Sequence, residues 1–429
     1  MTVPESVSMP QGQGDSARIV TEMAGKARRA QRELAAMTSA ARASALCEAA
    51  RALRQARDAV LDANRQDVAD ARSQGLSDAL LDRLAIDETR LEAIASAVEQ
   101  VAALPDPLGT VIDASERPNG LRLSRVRVPI GTIGIIYESR PNVTADAAAL
   151  CVRSGNAALL RGGSEAARTN RAILAAFQGG LAAGGVPAEA VQLIPTQDRA
   201  AVSAMLAAAG LIDMIIPRGG RGLVERVQAD ARVPVLAHLD GVCHTFVHAD
   251  ADPEMARAIA VNAKLRRPGI CGAMETLLID SGFARAADLV GALIDGGCEL
   301  RGDGRAQALD PRIGRAHEGD WDTEYLDAVL SVAIVDGIEP ALAHIAAHSS
   351  GHTDAIVTAD EAAAERFLAE VDSAIVMHNA SSQFADGGEF GLGAEIGIAT
   401  GRLHARGPVA LEGLTTYKWL VRGNGQARP

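Results

Sequence analysis

From Gly131 to about His238 four short apolar runs, TIGIIY, AALLRG, VQLIP and IDMIIP, alternate with Ala-rich stretches whose apolar residues recur every three or four positions. Runs this short, bounded by turn residues, read as strands buried on both faces, and strand–helix–strand repetition folds as right-handed crossovers onto a parallel sheet. A second rhythm follows. GAMETLLID, VLSVAIV, TDAIVT and SAIVMHN read as strands, with helices beginning near Asp252, Phe283, Pro340 and Asp360. The fold class is therefore α/β, with two doubly wound α/β domains. Composition agrees: only six Phe, three Tyr and two Trp occur, so the core is built from Ala, Val, Leu and Ile. With 429 residues, 48% of them apolar, the chain is large enough for two or three domains.

The flanks differ in kind. Ser16 to Leu104 is helical throughout, with caps at Thr38, Ser77 and Asp87 and a stop at Pro105. Between Leu108 and Val128 the pattern turns to alternation around Pro118, Asn119 and Gly120, and LRLSRVRV reads as an exposed antiparallel strand. Near the end, TTYKWLVRG reads as a strand able to pair with that hairpin, in the same or another subunit. The leader MTVPESVSMPQGQGDS has neither the basic region nor the apolar core of a secretory signal, and is expected to be a disordered tail, 1–16. No run of about 18 apolar residues suggests a membrane span. A net charge of -12 without a basic stripe argues against nucleic acid and anionic membranes as partners. Five cysteines, odd in number and scattered, indicate neither a disulfide framework nor a Cys-rich metal site, and point to the reducing cytoplasm.

Chemistry gathers at a few places. In RRPGICGAMETLL, Cys271 stands between a Pro268-Gly269 turn and an apolar run, where following N–H groups would stabilise a thiolate and a neighbouring oxyanion. The alternative is a small buried residue. Neither GxGxxG nor GxxxxGK[ST] follows a strand. Two weaker phosphate loops remain, Arg161-Gly162-Gly163 and Arg218-Gly219-Gly220, with Arg221 beyond, each at a strand end before a helix. Their arginines suit the extra phosphate of NADP, and either loop is equally readable as a plain turn. YESRPNVTADAAAL places Arg140 and Asn142 at the carboxyl edge of the sheet, with Asn142 either a cap or an oxyanion donor. His344 and His348 are one helical turn apart, but no Glu lies between them and the helix ends before His352, so no metal is expected. GxSxG is absent.

Eight ordered segments, NRQDVADARSQGLSDALLDRL, IGIIYESRPNVT, IDMIIPRGG, GVCHTFV, VNAKLRRPGICGAMETLL, VDGIEPALAHIAAHSSGHTDAI, FGLGAEIGIAT and LHARGPVALEGLTTYKW, give the chain from about residue 17 to 424 a resemblance to the γ-glutamyl phosphate reductase family of the aldehyde dehydrogenase superfamily. The resemblance implies an aldehyde dehydrogenase-like fold in three parts. These are a nucleotide-binding domain (17–107 and 129–238), a catalytic cysteine domain (239–404), and a β oligomerisation flap (108–128 and 405–429). It implies Cys271 as nucleophile, Asn142 in the oxyanion hole and Glu324 on the nicotinamide ribose. It also implies NADPH-dependent reduction of L-glutamyl 5-phosphate to L-glutamate 5-semialdehyde through a Cys271 thioester. Arg140, Arg267 and Arg406, each in a matching loop, are candidates for the substrate α-carboxylate, and Arg267 alternatively for the leaving phosphate. A homo-oligomer, dimer or tetramer, is implied, with transient contact to glutamate 5-kinase. Where hydrolytic relatives carry a water-activating Glu in LELGG, this chain has AHLDGVC, with His238 at that position. A hydrolytic or CoA-acylating aldehyde dehydrogenase, and a silent binding protein of the same fold, are the competing readings.

Overall fold

The computed structural model describes residues 11–428 and divides into two compact units. The first runs to Leu236 and takes in Gly393–Gly397 and the chain from Val409. The second comprises Ala237–Leu392 and Ile398–Pro408. His238, placed by the sequence at the end of the first domain, thus belongs to the second unit, as do residues 405–408, read as part of the flap.

The first unit opens with helices α1 (Gln11–Ala36), α2 (Ser39–Gln55), α3 (Arg57–Ser73), α4 (Asp78–Leu84) and α5 (Glu88–Ala103). Thr38 and Asp87 cap α2 and α5 by accepting from Ala41 N and Arg90 N, satisfying amides that have no partner within the helix. Part of the segment expected to be a tail is helical instead. Residues 1–10 lie outside the described residues, but α1 starts at Gln11, and buried Ser16 donates to Asp198 Oδ2 at 3.0 Å. Val20, Ala24, Ala27 and Leu34 give the helix an apolar face that continues this anchoring.

The hairpin β1 (Val111–Glu116) and β2 (Arg122–Pro129) follows, and then β3 (Thr132–Tyr137), α6 (Val143–Arg153), β4 (Ala157–Gly162), α7 (Ala167–Ala183), β5 (Val191–Leu193), α8 (Ala200–Ala207), β6 (Met214–Arg218) and α9 (Arg221–Asp230). The sheet is parallel in the order β5-β4-β3-β6, so β3 is central and both RGG loops leave strands beside it. Helices α2 and α7 cross closely. A Cβ at Gly180 would lie 2.4 Å from Ala49 Cα, and one at Gly184 2.4 Å from Ala45 Cα.

The second unit contains β7 (Cys243–Val247), α10 (Pro253–Leu265), β8 (Met274–Asp280), α11 (Ala286–Asp295), β9 (Glu299–Gly302), α12 (Gly304–Gln307), β10 (Gly314–Arg315), β11 (Val329–Val335), α13 (Ile338–His348), β12 (Thr353–Val357), α14 (Glu361–Glu370) and β13 (Ile375–His378). Its seven strands are all parallel, in the order β10-β9-β11-β8-β7-β12-β13. Every residue of β7, β8 and β12 is buried, as a sheet covered on both faces requires. Short strands β14 (Gly397–Ala399) and β15 (Gly407–Val409) mark where the chain passes between units. The last strand, β16 (Thr415–Arg422), pairs antiparallel with β2 of the same chain, giving a three-stranded flap in the order β1-β2-β16.

Candidate active site

In the second unit Cys271 lies in the connection 266–273 between α10 and β8 and is half-buried, whereas Cys151, Cys243 and Cys298 are buried. The turn around it closes through Ala273 N–H, which donates to Ile270 O at 3.0 Å. The N–H groups expected to be available after Cys271 are therefore partly used, because a strand rather than a helix N-terminus follows. Gly241 abuts the same turn: a Cβ there would lie 2.1 Å from the Cys271 carbonyl oxygen. Glu324 reaches this place too, its Oε1 accepting from Gly241 N at 3.0 Å.

Two imidazoles accompany the thiol. His238 and His352 pack edge-on with ring centroids 5.1 Å apart. His238 Nδ1 lies 2.8 Å from Ile398 O, which places the proton on Nδ1 and the lone pair on Nε2. His352 is wholly buried, and burial first, with His238 adding to it, pushes its imidazole down to about 3. Buried Cys243, whose thiol is raised well above its usual range chiefly by desolvation, donates to Cys271 O at 3.2 Å and lies 3.7 Å from His352 Nδ1. His352 thus stands apart from His344 and His348, beside which it lies in the sequence. His344 and His348 stay on α13 with centroids 4.6 Å apart, and His348 bonds Asp322 at 2.8 Å.

The strands beneath are pinned by buried charge. Lys264 Nζ meets Glu275 Oε2 at 2.5 Å, both side chains fully buried, and burial pushes the Glu275 carboxyl up to about 7 against the pull of Lys264. Glu275 is the extra residue where the β7–β8 register jumps from Cys243–Met274 to His244–Thr276, a bulge next to the Cys271 turn. Asp354 on β12 is desolvated, yet bonds from His244, Ser349 and Ser373 outweigh that and hold its carboxyl below the usual range. Much of HSSGHTDAI serves this network.

In the first unit the predicted strand–turn–helix around Asn142 is present: β3 ends at Tyr137, Ser139 turns the chain at φ +44°, and Asn142 is the N-cap residue of α6. Asn142 Nδ2 donates to Asp146 Oδ2 at 2.8 Å, and Asp146 Oδ1 is buried without a partner. Desolvation pushes the Asp146 carboxyl up to about 6, opposed by that bond and by Arg218. Arg83, Arg90, Ile94, Arg140, Asn142 and Asp146 help line a groove of about 420 Å³. Sequence reasoning missed Asp146, although an Asn–Asp pair four residues apart at a helix start is a local signal.

Both RGG loops stand at the carboxyl edge, and in the second of them one amide is already taken. Gly220 N donates to Glu138 Oε2 at 3.0 Å, and Glu165 accepts from Ser139 N. A Cβ on Gly163 or Gly219 would strike these same carboxylates, and one on Gly162 would meet Asn170, so packing within the protein already demands those glycines. Arg161 donates to Gly162 O and Gln197 O, while its Nε is buried without a partner. Arg218 lies half-buried at the end of β6. Of the other arginines, Arg140 lines the groove, Arg267 is exposed in the Cys271 connection, and Arg406 is ion-paired to Asp372 at 2.6 Å.

The chain is similar to known proteins over most of its length. The aldehyde dehydrogenase family profile matches residues 7–304. A gamma-glutamyl phosphate reductase of Novosphingobium aromaticivorans is 71% identical over 416 residues, covering 97% of this chain and 98% of the relative. One from Zymomonas mobilis is 60% identical, with 97% and 98% covered. The crystal structure of gamma-glutamyl phosphate reductase from Thermotoga maritima superposes with a TM-score of 0.94 at 43% identity, covering 96% of this chain and 100% of that one. An acetylating aldehyde dehydrogenase of Geobacillus thermoglucosidasius, at 18% identity and a TM-score of 0.69 over 98% of this chain and 100% of that one, shares the fold.

Proposed function

We propose that this chain, which belongs to the aldehyde dehydrogenase family, reduces L-glutamyl 5-phosphate to L-glutamate 5-semialdehyde, releasing inorganic phosphate, through a thioester on Cys271. One observation carries the reading: relatives named for this activity match the chain nearly end to end. Cys271 in its half-buried turn, with His238 where hydrolytic members carry a glutamate, supports it.

The Cys271 thiolate attacks the acyl carbonyl, a C–S bond forms, and the C–O bond to phosphate breaks. Phosphate leaves readily, so little acid assistance is needed. The Asn142 amide donates to the developing oxyanion, a contribution of about 3 kcal/mol for such a donor. Asp146 orients that amide by accepting its Nδ2–H. Collapse of the thiohemiacetal returns the Cys271 thiolate and frees the aldehyde.

A nicotinamide cofactor follows from the family, and its reduced form supplies hydride to the thioester carbon. Its phosphates fit the carboxyl edge of the first unit, where the partnerless Nε of Arg161 is a buried donor suited to an anion. Arg161, Gly162, Gly163, Arg218, Gly219 and Gly220 would hold them, and Glu324 would hold the nicotinamide ribose. The two guanidinium groups favour NADPH over NADH.

Arg140 receives the substrate α-carboxylate, since it shares its groove with Asn142. Arg267 receives the leaving phosphate, and Arg406 is the weakest substrate candidate because Asp372 already engages it. The protein works in the cytoplasm as a homo-oligomer built on the flap, taking its labile acyl phosphate from glutamate 5-kinase. No described helix is long and apolar enough to cross a membrane. The reaction run in reverse tests the activity: glutamate semialdehyde, phosphate and NADP should yield reduced cofactor only when phosphate is present. Equal turnover without phosphate would point to the hydrolytic enzyme.

A further inference from the structure

We propose that Cys271, His238 and His352 form a binding site for one borderline-soft divalent cation of the zinc type, which, resting on the reading of Cys271 as the nucleophile, silences the enzyme by occupying its thiolate. One ligand atom from each of the three side chains lies within 4.8 Å of the other two. The hydrogen bonds around them prepare both imidazoles as ligands. His238 donates from Nδ1 to Ile398 O, the carbonyl-oriented arrangement that metal-bound histidines show, which leaves Nε2 as the nitrogen that carries the lone pair.

His352 follows by a proton count. The single proton of the Cys243 thiol goes to Cys271 O, so toward His352 the Cys243 sulfur can only accept. With the Cys243–His352 contact a hydrogen bond, His352 Nδ1 is its donor and carries the ring proton, with Thr353 Oγ1 also within reach at 2.9 Å. Its Nε2 is left as the acceptor, and that atom is buried with no hydrogen-bond partner. An orphaned polar atom in a fully buried side chain costs roughly 1–3 kcal/mol, so it needs a reason. A cation supplies one.

The set suits a tetrahedral ion with one open position. Bonds of about 2.3 Å to sulfur and about 2.0 Å to nitrogen bring tetrahedral ligands to roughly 3.5 Å from one another. The cluster must therefore close by about 1 Å from its present limit. The side chain best placed to move is Cys271, which stands in a turn between α10 and β8 rather than in either element. The thiol loses its proton to solvent on binding, and water takes the fourth position. Three protein ligands make this an open site rather than a closed structural one, and occupancy excludes attack by the same sulfur on any acyl group.

Metal binding, measured without substrate, tests this independently of the proposed activity. Metal-free full-length protein is titrated with Co²⁺ and then Zn²⁺, following thiolate-to-cobalt charge transfer in the near ultraviolet. Expected are one Co²⁺ per chain with that band, displacement by Zn²⁺, and loss of the band in Cys271→Ser. His238→Gln, at a half-buried position, should weaken Zn²⁺ binding at least about tenfold, as should His352→Gln if circular dichroism shows it folded. Cys298→Ser, outside the cluster, should bind as the native chain does. Absence of the band, or its persistence in Cys271→Ser, overturns the proposal.

Discussion

Asn142 and Asp146 stand one helical turn apart at the start of α6, and this spacing makes the carboxylate the partner of the amide. While Asp146 is ionised it can only accept, which fixes Nδ2–H toward it. Once protonated it can donate, and the amide loses its fixed sense. With the carboxyl pushed up to about 6, kcat/KM should fall as pH drops through that value. Asp146→Asn should remove this limb and lower kcat by about tenfold to a hundredfold, as misplaced catalytic groups do, which a pH–rate profile would read. An unchanged profile contradicts the role. For stability the sign is opposite: a carboxyl raised above about 3.9 stabilises the fold below that pH, and the contribution is lost as pH rises through about 6. At this scale the sequence was partly legible. A Pro-Gly turn and a strand end leave local marks, so Cys271 and Asn142 stood out. His352 and Cys243 did not, because pairing of β12 with β7 joins residues more than a hundred positions apart. The RGG loops were legible as strand ends, but not the carboxylates beside them, Glu138 accepting from Gly220 N and Glu165 from Ser139 N.

Among the elements, α10 and β8 bracket the Cys271 turn and are joined beneath it by Lys264 and Glu275. Burying both charges makes removal of one costly, because the other is left uncompensated in an apolar setting. Lys264→Met should lower stability by about 3–5 kcal/mol, while Lys264→Met with Glu275→Leu should recover much of it. Urea denaturation at neutral pH checks this. Equal stability in the single and double variants would show that the pair does not act as a unit. Close approach of α2 and α7 gives a second test: Gly180→Val puts side-chain atoms into the Ala49 backbone and should cost about 1–3 kcal/mol in the same assay. Element types were well marked in the sequence, since apolar period and caps are local. The start of α1 was not, because Ser16 and Asp198, which anchor its first turns, are far apart in the chain.

At the scale of the whole molecule, the flap exposes apolar side chains in a single chain. Tyr417, Trp419 and Val421, at alternate positions of β16, are about half exposed, and Val111 and Ile112 on β1 are exposed as well. Arg125 covers the Tyr417 and Trp419 rings only from one side, at 5.0 and 5.5 Å. A second copy of the chain suits this stripe, so Trp419→Glu should shift the mass seen by light scattering toward the monomer. An unchanged mass places the interface elsewhere. The hairpin and its terminal strand were legible from their alternation, but whether β16 paired within or between chains was not, since both pairings satisfy the same pattern. The covalent step is tested by giving the protein glutamate semialdehyde and oxidised cofactor without phosphate, then mapping peptides by mass. One glutamyl adduct is expected, on the peptide bearing Cys271, discharged by added phosphate and absent in Cys271→Ser. An adduct on another residue, or none in a protein that turns over once phosphate is supplied, would contradict it.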